Sequence, residues 1–174
     1  MTSMAGDRDV RLFVPEEWML YKHIRLRALQ ADPQVFGSSY AKEAADPDSR
    51  WQAGLADPET VGIFGVFDGG ALIGMTGIAL LRDDPVRETA KLWGSWIIPA
   101  ARGRGVSVPM YQARLAWARR HPAVRRVIVS HRQSNLASMR ANQKHGFQRT
   151  HAEDHVWPDG VSEPHVFYEL RLDK

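Results

Sequence analysis

The spacing between apolar residues changes repeatedly along the chain, and each change marks a new element of secondary structure. Apolar positions at helical spacing predict four helices: Glu16–Gln30, Pro47–Ala56, Ser107–Arg120 and Asn135–His145. Shorter alternating or continuous apolar runs predict seven strands: Val10–Val14, Gly62–Phe67, Ala71–Leu81, Lys91–Ile98, Arg126–Ser130, Phe147–Val156 and His165–Leu172. This order predicts a mixed α/β (α+β) sheet with helices on both faces.

Turn signals indicate how the predicted strands are connected. Asp68-Gly69 separates two strand patterns and predicts a tight hairpin. Pro158-Asp159-Gly160 lies between the last two strands and predicts a second antiparallel pair. In Ala71–Leu81 both alternating sets of residues are largely apolar, so this strand is expected to be covered on both faces.

The length of 174 residues predicts one domain, residues 1–174. Charge is distributed unevenly along this chain. Thr89–Ala152 contains 12 Lys and Arg and no Asp or Glu. The segment before it holds 14 acidic and 9 basic residues, and the segment after it holds 6 and 2. Such a block indicates a polyanionic ligand or, equally, a basic face balanced by acidic neighbours in the fold.

The composition excludes several classes of chemistry. The chain has no cysteine, which excludes disulfides, thiolate nucleophiles and cysteine-ligated metal sites. It has no run of about 18 apolar residues, and Met1–Val10 does not resemble a signal peptide. We therefore expect a cytoplasmic protein with no membrane partner.

A glycine-rich turn between a strand and a helix is the clearest candidate for chemistry. Arg102-Gly103-Arg104-Gly105-Val106 follows the strand Lys91–Ile98 and leads directly into Ser107–Arg120. Glycines let the backbone approach an anion closely, and free amides at a helix N-terminus point towards it. The lysine of a Walker loop and the third glycine of a dinucleotide fingerprint are both missing. The turn therefore predicts either a different phosphate site or a plain surface turn.

The surrounding residues decide between these interpretations, because the chain here resembles the GNAT superfamily of acetyl-CoA-dependent N-acetyltransferases. That family has an Arg-Gly-x-Gly-aliphatic turn after a strand that ends near proline, as in Pro99 to Val106. Its second signature is an Asn that opens a helix ending in Gly-Phe, as from Asn135 to Gly146-Phe147. The resemblance implies a GNAT-like, mostly antiparallel central sheet of about six or seven strands, with a splayed strand pair at the cofactor site.

The resemblance also implies the residues that would hold acetyl-CoA. Backbone amides from Arg102 to Ser107 would bind the pyrophosphate. The strand end at Trp96–Ile98 would pair with the pantetheine arm, and an amide near Ile97 would polarise the thioester carbonyl. Contacts to the pantetheine or phosphates would come from the second signature: Asn135, Ser138, Asn142 and Lys144.

Two positions depart from the family pattern in ways that affect the chemistry. The family often has Gln or Arg where this chain has Ala100, so one side-chain contact to phosphate is missing. The family's general acid is a Tyr seven residues after the Asn, and this chain has Asn142 there. An amide cannot protonate a leaving thiolate, so the acid is another group, a water, or is not needed.

Candidates for the remaining roles come from the types and positions of side chains. Glu88, which begins the strand leading to the turn, is a candidate base, with a solvated loop carboxylate as the alternative. His131, which follows Arg126–Ser130, is a second candidate base, with a loop histidine or a neighbour of the phosphates as the alternatives. Trp18 and Trp93 are candidates for the acceptor pocket. Trp93 and Trp96 have opposite alternation parity, so at most one of them is expected to face the pocket. No metal site is predicted.

Three functions follow from these observations. The first is transfer of an acetyl group from acetyl-CoA to a primary amine of a small molecule, peptide or protein, by direct attack in a ternary complex. The second is binding of acyl-CoA by a regulator without turnover, which the missing tyrosine permits. The third is a basic nucleic-acid-binding module, although no groove-reading motif is present. The first is preferred; it implies no nucleic-acid partner and leaves a homodimer open.

Overall fold

In the computed structural model, which describes residues 7–174, one sheet of seven strands runs through the molecule. The strands are β1 (Arg8–Leu12), β2 (Val61–Asp68), β3 (Ala71–Leu80), β4 (Thr89–Ile97), β5 (Arg126–Arg132), β6 (Gln148–Glu153) and β7 (His165–Arg171). The helices are α1 (Trp18–Ala31), α2 (Tyr40–Ala44), α3 (Asp48–Gly54), α4 (Ser107–Arg120) and α5 (Leu136–Lys144). Of the segment Met1–Val10 discussed above, residues 1–6 lie outside the described part.

The spatial order of the strands is β1-β2-β3-β4-β5-β7-β6. Every neighbouring pair is antiparallel except β4 and β5, which are parallel. The mixed, mostly antiparallel seven-stranded sheet predicted from the sequence is therefore confirmed. None of the helices between residues 7 and 174 is long and apolar enough to cross a membrane.

The sheet separates two apolar clusters. On one face, α1 and α3 pack their buried side chains, such as Ile24 and Trp51, against Ile63 and Met75 of the sheet. On the other face, α4 packs around Trp117. The second cluster also contains residues of β4, β5 and β7, so α4 lies over the middle of the sheet. Helices on both faces follow from apolar strands that are covered on both sides.

Local signals explain where most elements begin and end. The β2–β3 hairpin turns on Gly69 and Gly70, whose φ angles of 56° and 82° suit a two-residue turn, so the turn lies one residue later than Asp68-Gly69. Helix α4 ends where His121-Pro122 stops it, with the bounds the sequence predicted. Helix α2 was not predicted, because its five residues are too few to show a period; Ser39 caps it through a 3.3 Å bond from the Lys42 amide.

Candidate functional site

A groove opens in the sheet where β4 and β5 separate. The two strands pair at only three positions, Thr89, Ala90 and Lys91 of β4. Beyond Lys91, β4 remains paired with β3, and β5 remains paired with β7. The edges of β4 and β5 that face each other therefore carry backbone N–H and C=O groups without a strand partner, as the predicted splayed pair requires.

A bulge in β4 shapes the wall of this groove. Gly94 has a φ of 65°, and the register with β3 shifts so that Trp93 and Trp96 face Gly77 and Met75, with only Thr76 between them. An extra residue in a strand reverses the facing of every residue beyond it. Both tryptophans consequently contribute to the apolar cluster of α1, and both line the groove. The expectation that at most one could face the pocket was wrong, because alternation does not continue through a bulge.

The glycine-rich turn lies at one end of the groove, where α4 begins. Gly103 and Gly105 have φ angles of 72° and 74°, and a Cβ on either would meet no atom within 4 Å. Glycine is therefore required for backbone conformation and not for close packing. No acceptor in the described residues pairs with the backbone N–H groups from Gly103 to Gly105. These amides and the first amides of α4 form a concave set of donors suited to an anion.

Asp32 anchors this end of the groove. Its carboxylate accepts a 2.7 Å hydrogen bond from Trp96 Nε1 and a 2.6 Å bond from the Arg102 guanidinium, which also donates to the Ile97 carbonyl. Partial burial opposes ionisation, but the bonds from Trp96 and Arg102 hold the pKa of Asp32 below its usual value. The Arg102 side chain is thus bound to the wall of the groove, so it is the backbone at Arg102 that borders the turn.

Helix α5 forms the opposite wall. The side chain of Asn135 caps the helix by accepting a 3.1 Å bond from the Ser138 amide. Gly146, with a φ of 86°, ends it. Both Asn135 and Ser138 face the groove, so the cap that positions the helix also brings these two polar side chains to the site.

The groove holds two adjoining cavities of about 380 and 110 Å³. The larger lies beside the turn, and its walls include Trp96, Ile97, Ser107, Asn135 and Ser138. The smaller lies deeper, against the bulge, and its walls include Trp93, Gly94, His131 and Asn142. Tyr111 and Arg114 of α4 line both cavities, together with Ser95.

Most of the residues predicted to bind the cofactor meet at this groove. Val106 is buried beneath the turn, and Arg104 is exposed on it, with its carbonyl bound by Arg8 at 2.6 Å. Ile98 donates its amide to Ile73 and lies at the rim, outside the walls of both cavities. Lys144 is exposed at the end of α5 and lines neither cavity.

Two other candidates lie away from the groove. Glu88 is exposed at the start of β4, on the side where β4 and β5 are still paired, and its carbonyl accepts the amides of Arg125 and Arg126. Seven residues separate it from Ser95, which is roughly 20 Å of extended strand. Trp18 packs at the edge of the cluster of α1 and lines neither cavity. The structure does not bring either residue to the site.

His131 does reach the site, at the deep end. Its Nδ1 donates a 2.8 Å bond to the Arg132 carbonyl, which leaves Nε2 as the acceptor of the neutral ring. Nε2 is buried and has no partner among the described residues. Burial lowers the pKa of His131, so the ring is neutral at neutral pH and offers a free lone pair beside the smaller cavity.

Sequence reasoning missed Asp32, Tyr111 and Arg114 as site residues. Asp32 lies far from β4 in the sequence, and only the tertiary fold brings it to Trp96. Tyr111 and Arg114 could have been found, since Ser107, Tyr111 and Arg114 recur at four and three residues and so share one face of α4. Arg114 is 2% exposed, and no carboxylate between residues 7 and 174 pairs with it; burial lowers its pKa to about 10.

Comparison with known proteins was made on both sequence and structure. The acetyltransferase (GNAT) domain family matches the sequence over residues 10–148. No curated protein sequence matches the chain. The solved structure of yncA from Salmonella typhimurium, with its cofactor acetyl-CoA, superposes with a TM-score of 0.82 at 17% identity, covering 97% of this chain and 96% of that one.

Two further solved structures share the fold. A GNAT-family acetyltransferase from Streptococcus pneumoniae has a TM-score of 0.81 at 16% identity, over 95% of this chain and 100% of that one. An acetyl transferase from Salmonella typhimurium that modifies the N-terminal serine of a 50S ribosomal subunit protein has a TM-score of 0.76 at 16% identity, over 95% of both chains. At such identities the likeness shows a common fold.

Proposed function

The chain belongs to the acetyltransferase (GNAT) domain family, and from that premise we propose that it transfers an acetyl group from acetyl-CoA to a primary amine by direct attack in a ternary complex. The observation that supports this most is the groove itself. An unpaired edge of β4 runs from a bulge to a turn of free amides at the start of α4. That arrangement has the shape and the donors for an extended arm ending in phosphates.

The donor set of the groove is suited to coenzyme A. Of the predicted set from Arg102 to Ser107, the amide of Arg102 is bonded to the Pro99 carbonyl, so the amides from Gly103 onward would hold the pyrophosphate. Glycines with open space above them let phosphate oxygens approach the backbone. The free edge at Trp96 and Ile97 would pair with the amide groups of the pantetheine arm, with Asn135 and Ser138 across the groove, whereas the amide of Ile98 is already bonded to Ile73. Asn142 borders the deep end, and Lys144 would lie at the outer rim. Bound there, acetyl-CoA supplies an activated acyl group, and a backbone N–H near Ile97 would polarise its carbonyl.

His131 is the proposed base. A lysine-like amine has a pKa near 10.4, so a fraction of only about 10⁻³ is neutral at pH 7. His131 lines the smaller cavity, and its Nε2, which has no partner among the described residues, would accept a proton from the amine directly or through one water. Glu88, exposed at the far end of β4, is given no part in this mechanism.

The proposed acceptor is a primary amine, on a small molecule or on a peptide or protein. Trp93 and Phe36 form apolar walls of the deep cavity, where the amine would meet the acyl group. The protein from Salmonella typhimurium that acts on an N-terminal serine supports a peptide terminus as one acceptor to test.

Thermal denaturation with acetyl-CoA, with coenzyme A or with a DNA duplex tests the proposal. We expect both acetyl-CoA and coenzyme A to raise the Tm of the protein, and the DNA duplex to leave it unchanged. Stabilisation by DNA alone would overturn the proposal in favour of a nucleic-acid-binding module. A double variant, Arg104→Glu with Gly105→Glu, should lose the stabilisation by coenzyme A, while Gly37→Ala, at a glycine with open space and no positive φ, serves as the matched control.

Release of free thiol across a panel of amines separates an enzyme from a regulator. An acetyltransferase releases thiol in proportion to acetylated amine, and mass spectrometry of the products identifies the acceptor. A protein that binds acetyl-CoA with the expected Tm shift but releases no thiol with any small amine, peptide or cell extract would be the regulator.

A further inference from the structure

A tyrosine from α4 reaches the place on α5 where the family resemblance expects one. The hydroxyl of Tyr111 donates a 2.5 Å hydrogen bond to Oδ1 of Asn142. We infer that Tyr111 gives its proton to the sulfur that leaves during acetyl transfer, and that Asn142 and Arg114 position it. The inference rests on the proposed function and moves the acid from one helix to the other.

The position of the hydroxyl along the groove supports this role. Tyr111 lines both cavities, as does Arg114, which lies three residues further along α4. The Arg114 guanidinium donates a 2.9 Å bond to Ser95 Oγ, and Ser95 Oγ lies 2.7 Å from Thr76 Oγ1. This chain of contacts places the Tyr111–Arg114 pair beside the bulge in β4. Tyr111 also lines the larger cavity together with Ile97, whose amide would polarise the thioester.

The ring of Tyr111 is held on three sides. His145 stacks on it at 4.0 Å between ring centroids, and Phe147 meets it edge-on at 6.1 Å. The Arg114 guanidinium carbon lies 4.6 Å from the ring centroid. A ring confined in this way keeps its oxygen in one place, and only the hydroxyl hydrogen is free to change direction.

Asn142 can hold the tyrosine oxygen both with and without its proton. The side chain is buried, its Oδ1 accepts the hydroxyl, and its Nδ2 has no partner among the described residues. Rotation of the amide about its last torsion would place Nδ2 against the tyrosine oxygen. In that arrangement the hydroxyl proton can point into the groove, and the amide can donate to the phenolate once the proton has gone.

The charges around Tyr111 favour a proton donor. Burial raises the pKa of Tyr111, which keeps the hydroxyl protonated at neutral pH, while the cation of Arg114 acts in the opposite direction and stabilises the phenolate. From the end of α5, His145 faces the ring, and its pKa is lowered by burial and then by Lys144 and Arg114. His145 is therefore neutral at neutral pH, and the positive charge in contact with the ring is that of Arg114.

The step balances in protons and electron pairs. The charged amine first loses one proton through His131 to solvent. The neutral amine nitrogen then forms a bond to the carbonyl carbon, the carbon–sulfur bond breaks, and the sulfur keeps the electron pair. Tyr111 gives its proton to that sulfur, and His131 accepts the proton that the amine nitrogen loses. The proton on His131 returns to the Tyr111 oxygen through solvent, so the products are an amide and a neutral thiol.

A conservative substitution tests the role of the hydroxyl. Tyr111→Phe should lower kcat about 10²-fold, the low end for proton transfer by a positioned side chain, with the KM for acetyl-CoA and the Kd for coenzyme A unchanged. Tyr21→Phe is the matched control, because Tyr21 is also buried but packs against Trp51 on the opposite face of the sheet. A Tyr111→Phe enzyme with the wild-type kcat would overturn the inference.

The thiol of bound coenzyme A gives a readout that does not depend on turnover. A hydroxyl donor and a buried cation both stabilise a thiolate, so its pKa in the complex should lie below that of free coenzyme A. Ultraviolet absorbance of the thiolate, followed across a pH titration, should show the pKa rising in both Tyr111→Phe and Arg114→Met. Equal thiol pKa values in wild type and Tyr111→Phe would contradict the inference.

Returning the phenol to α5 is the complementary test. Tyr111→Leu should lower kcat, and the double variant Tyr111→Leu with Asn142→Tyr should recover at least a tenth of the wild-type rate. No recovery in a folded double variant that binds coenzyme A would count against the inference.

Calorimetry with coenzyme A distinguishes failure of the proposed function from failure of the role of Tyr111. Absence of binding by the wild type would overturn the proposed function, whereas tight binding with an unchanged Tyr111→Phe rate would overturn only the role of Tyr111.

Discussion

Single residues in this protein show two ways of placing an ionisable side chain in apolar surroundings. Arg25 and Glu43 are buried together on the α1 face, joined by two hydrogen bonds of 2.8 and 2.9 Å. His131 and Arg114 are buried as well, but neither has an acidic partner in the described part of the chain. Burying a charge without an opposite charge, as in Arg114, or a polar atom without a hydrogen bond, as in His131, costs free energy, so such groups at a groove are candidates for ligand contact.

The first prediction concerns His131 and the pH dependence of the reaction. A base must be unprotonated, and burial lowers the pKa of His131, so kcat/KM should fall only as the pH drops below the usual histidine value of about 6.5. His131→Gln should lower kcat about 10²-fold and remove that acidic limb. Rate profiles across pH check both effects, with His151→Gln, an exposed histidine on β6, as the control. An acidic limb that persists in His131→Gln would assign the base to another group.

The second prediction concerns the ion pair. Burial raises and hydrogen bonds from Arg25 lower the pKa of Glu43, and the net shift is downward. Its contribution to stability is therefore complete above the unfolded pKa of about 4.3 and is lost as the pH falls through the lower folded value. Glu43→Gln should cost about 3–5 kcal/mol at neutral pH, because it leaves the guanidinium of Arg25 buried without its partner.

Chemical denaturation at several pH values measures this cost. The difference between wild type and Glu43→Gln should shrink at low pH, where the wild-type carboxylate is also protonated. Lys22→Met, which breaks a pair whose Asp48 partner is mostly exposed, should cost no more than about 1 kcal/mol. Equal costs for the two variants would show that burial does not decide the strength of these pairs.

At the scale of elements, the groove is made by two irregularities, the early separation of β4 from β5 and the bulge at Gly94. Sequence pattern predicted β4 as a strand, because its apolar run is bounded by polar residues and Pro99. It could not predict the bulge, since a bulge depends on how β4 pairs with β3. The glycine inside the strand was the available signal.

The third prediction tests the bulge. Gly94→Ala places a Cβ on a residue with a φ of 65°, 3.4 Å from Met75 Cε and 3.5 Å from an Arg25 nitrogen. The strain should cost roughly 1–2 kcal/mol, and relief of that strain would turn the β4 amides away from the groove. The Tm of thermal unfolding and the kcat should both fall in Gly94→Ala, whereas Gly37→Ala should change neither. A stable Gly94→Ala enzyme with full activity would show that the bulge is not needed.

The parts of the site that were predicted from sequence are those specified locally. The turn at Gly103 and Gly105 and the cap at Asn135 each depend on a few adjacent residues, and each lies at the groove. Tyr111 was not recognised, because the role proposed for it depends on the contact between two helices, α4 and α5. Glu88 was chosen as a candidate base because it lies near the start of β4. The sequence alone does not show that this end of β4 lies away from the groove.

Across the whole molecule, the basic block is partly neutralised by the acidic segments that flank it. Asp32 pairs with Arg102, Glu169 with Arg126, and both Asp159 and Glu163 with Arg132. Some charges of the block are therefore balanced in the fold, and others lie on the turn and the helices around the groove; that these bind a polyanion stays a prediction. That residues 1–174 form one domain remains a prediction.

The fourth prediction follows from where those charges lie. Arg119 and Arg120 end α4, about 18 Å from Ser107 at the helical rise of 1.5 Å per residue, beyond the screening length of about 8 Å at physiological salt. Arg119→Gln with Arg120→Gln should leave the Kd for coenzyme A unchanged. Arg104→Gln should weaken binding about two- to fivefold, and the loss should diminish at high salt. Calorimetry at two salt concentrations measures this difference; an equal loss in both variants would indicate general attraction by net charge.

The open edge of β4 also has a consequence for hydrogen exchange. In the free protein, amides of residues 93–97 that face the gap between β4 and β5 have no strand to protect them, whereas those of β2 are bonded to neighbours on both sides. We expect the gap-facing amides to exchange quickly with deuterium and to become slow when coenzyme A is bound. The bound arm would then act as a missing strand, so binding would complete the sheet and rigidify its centre.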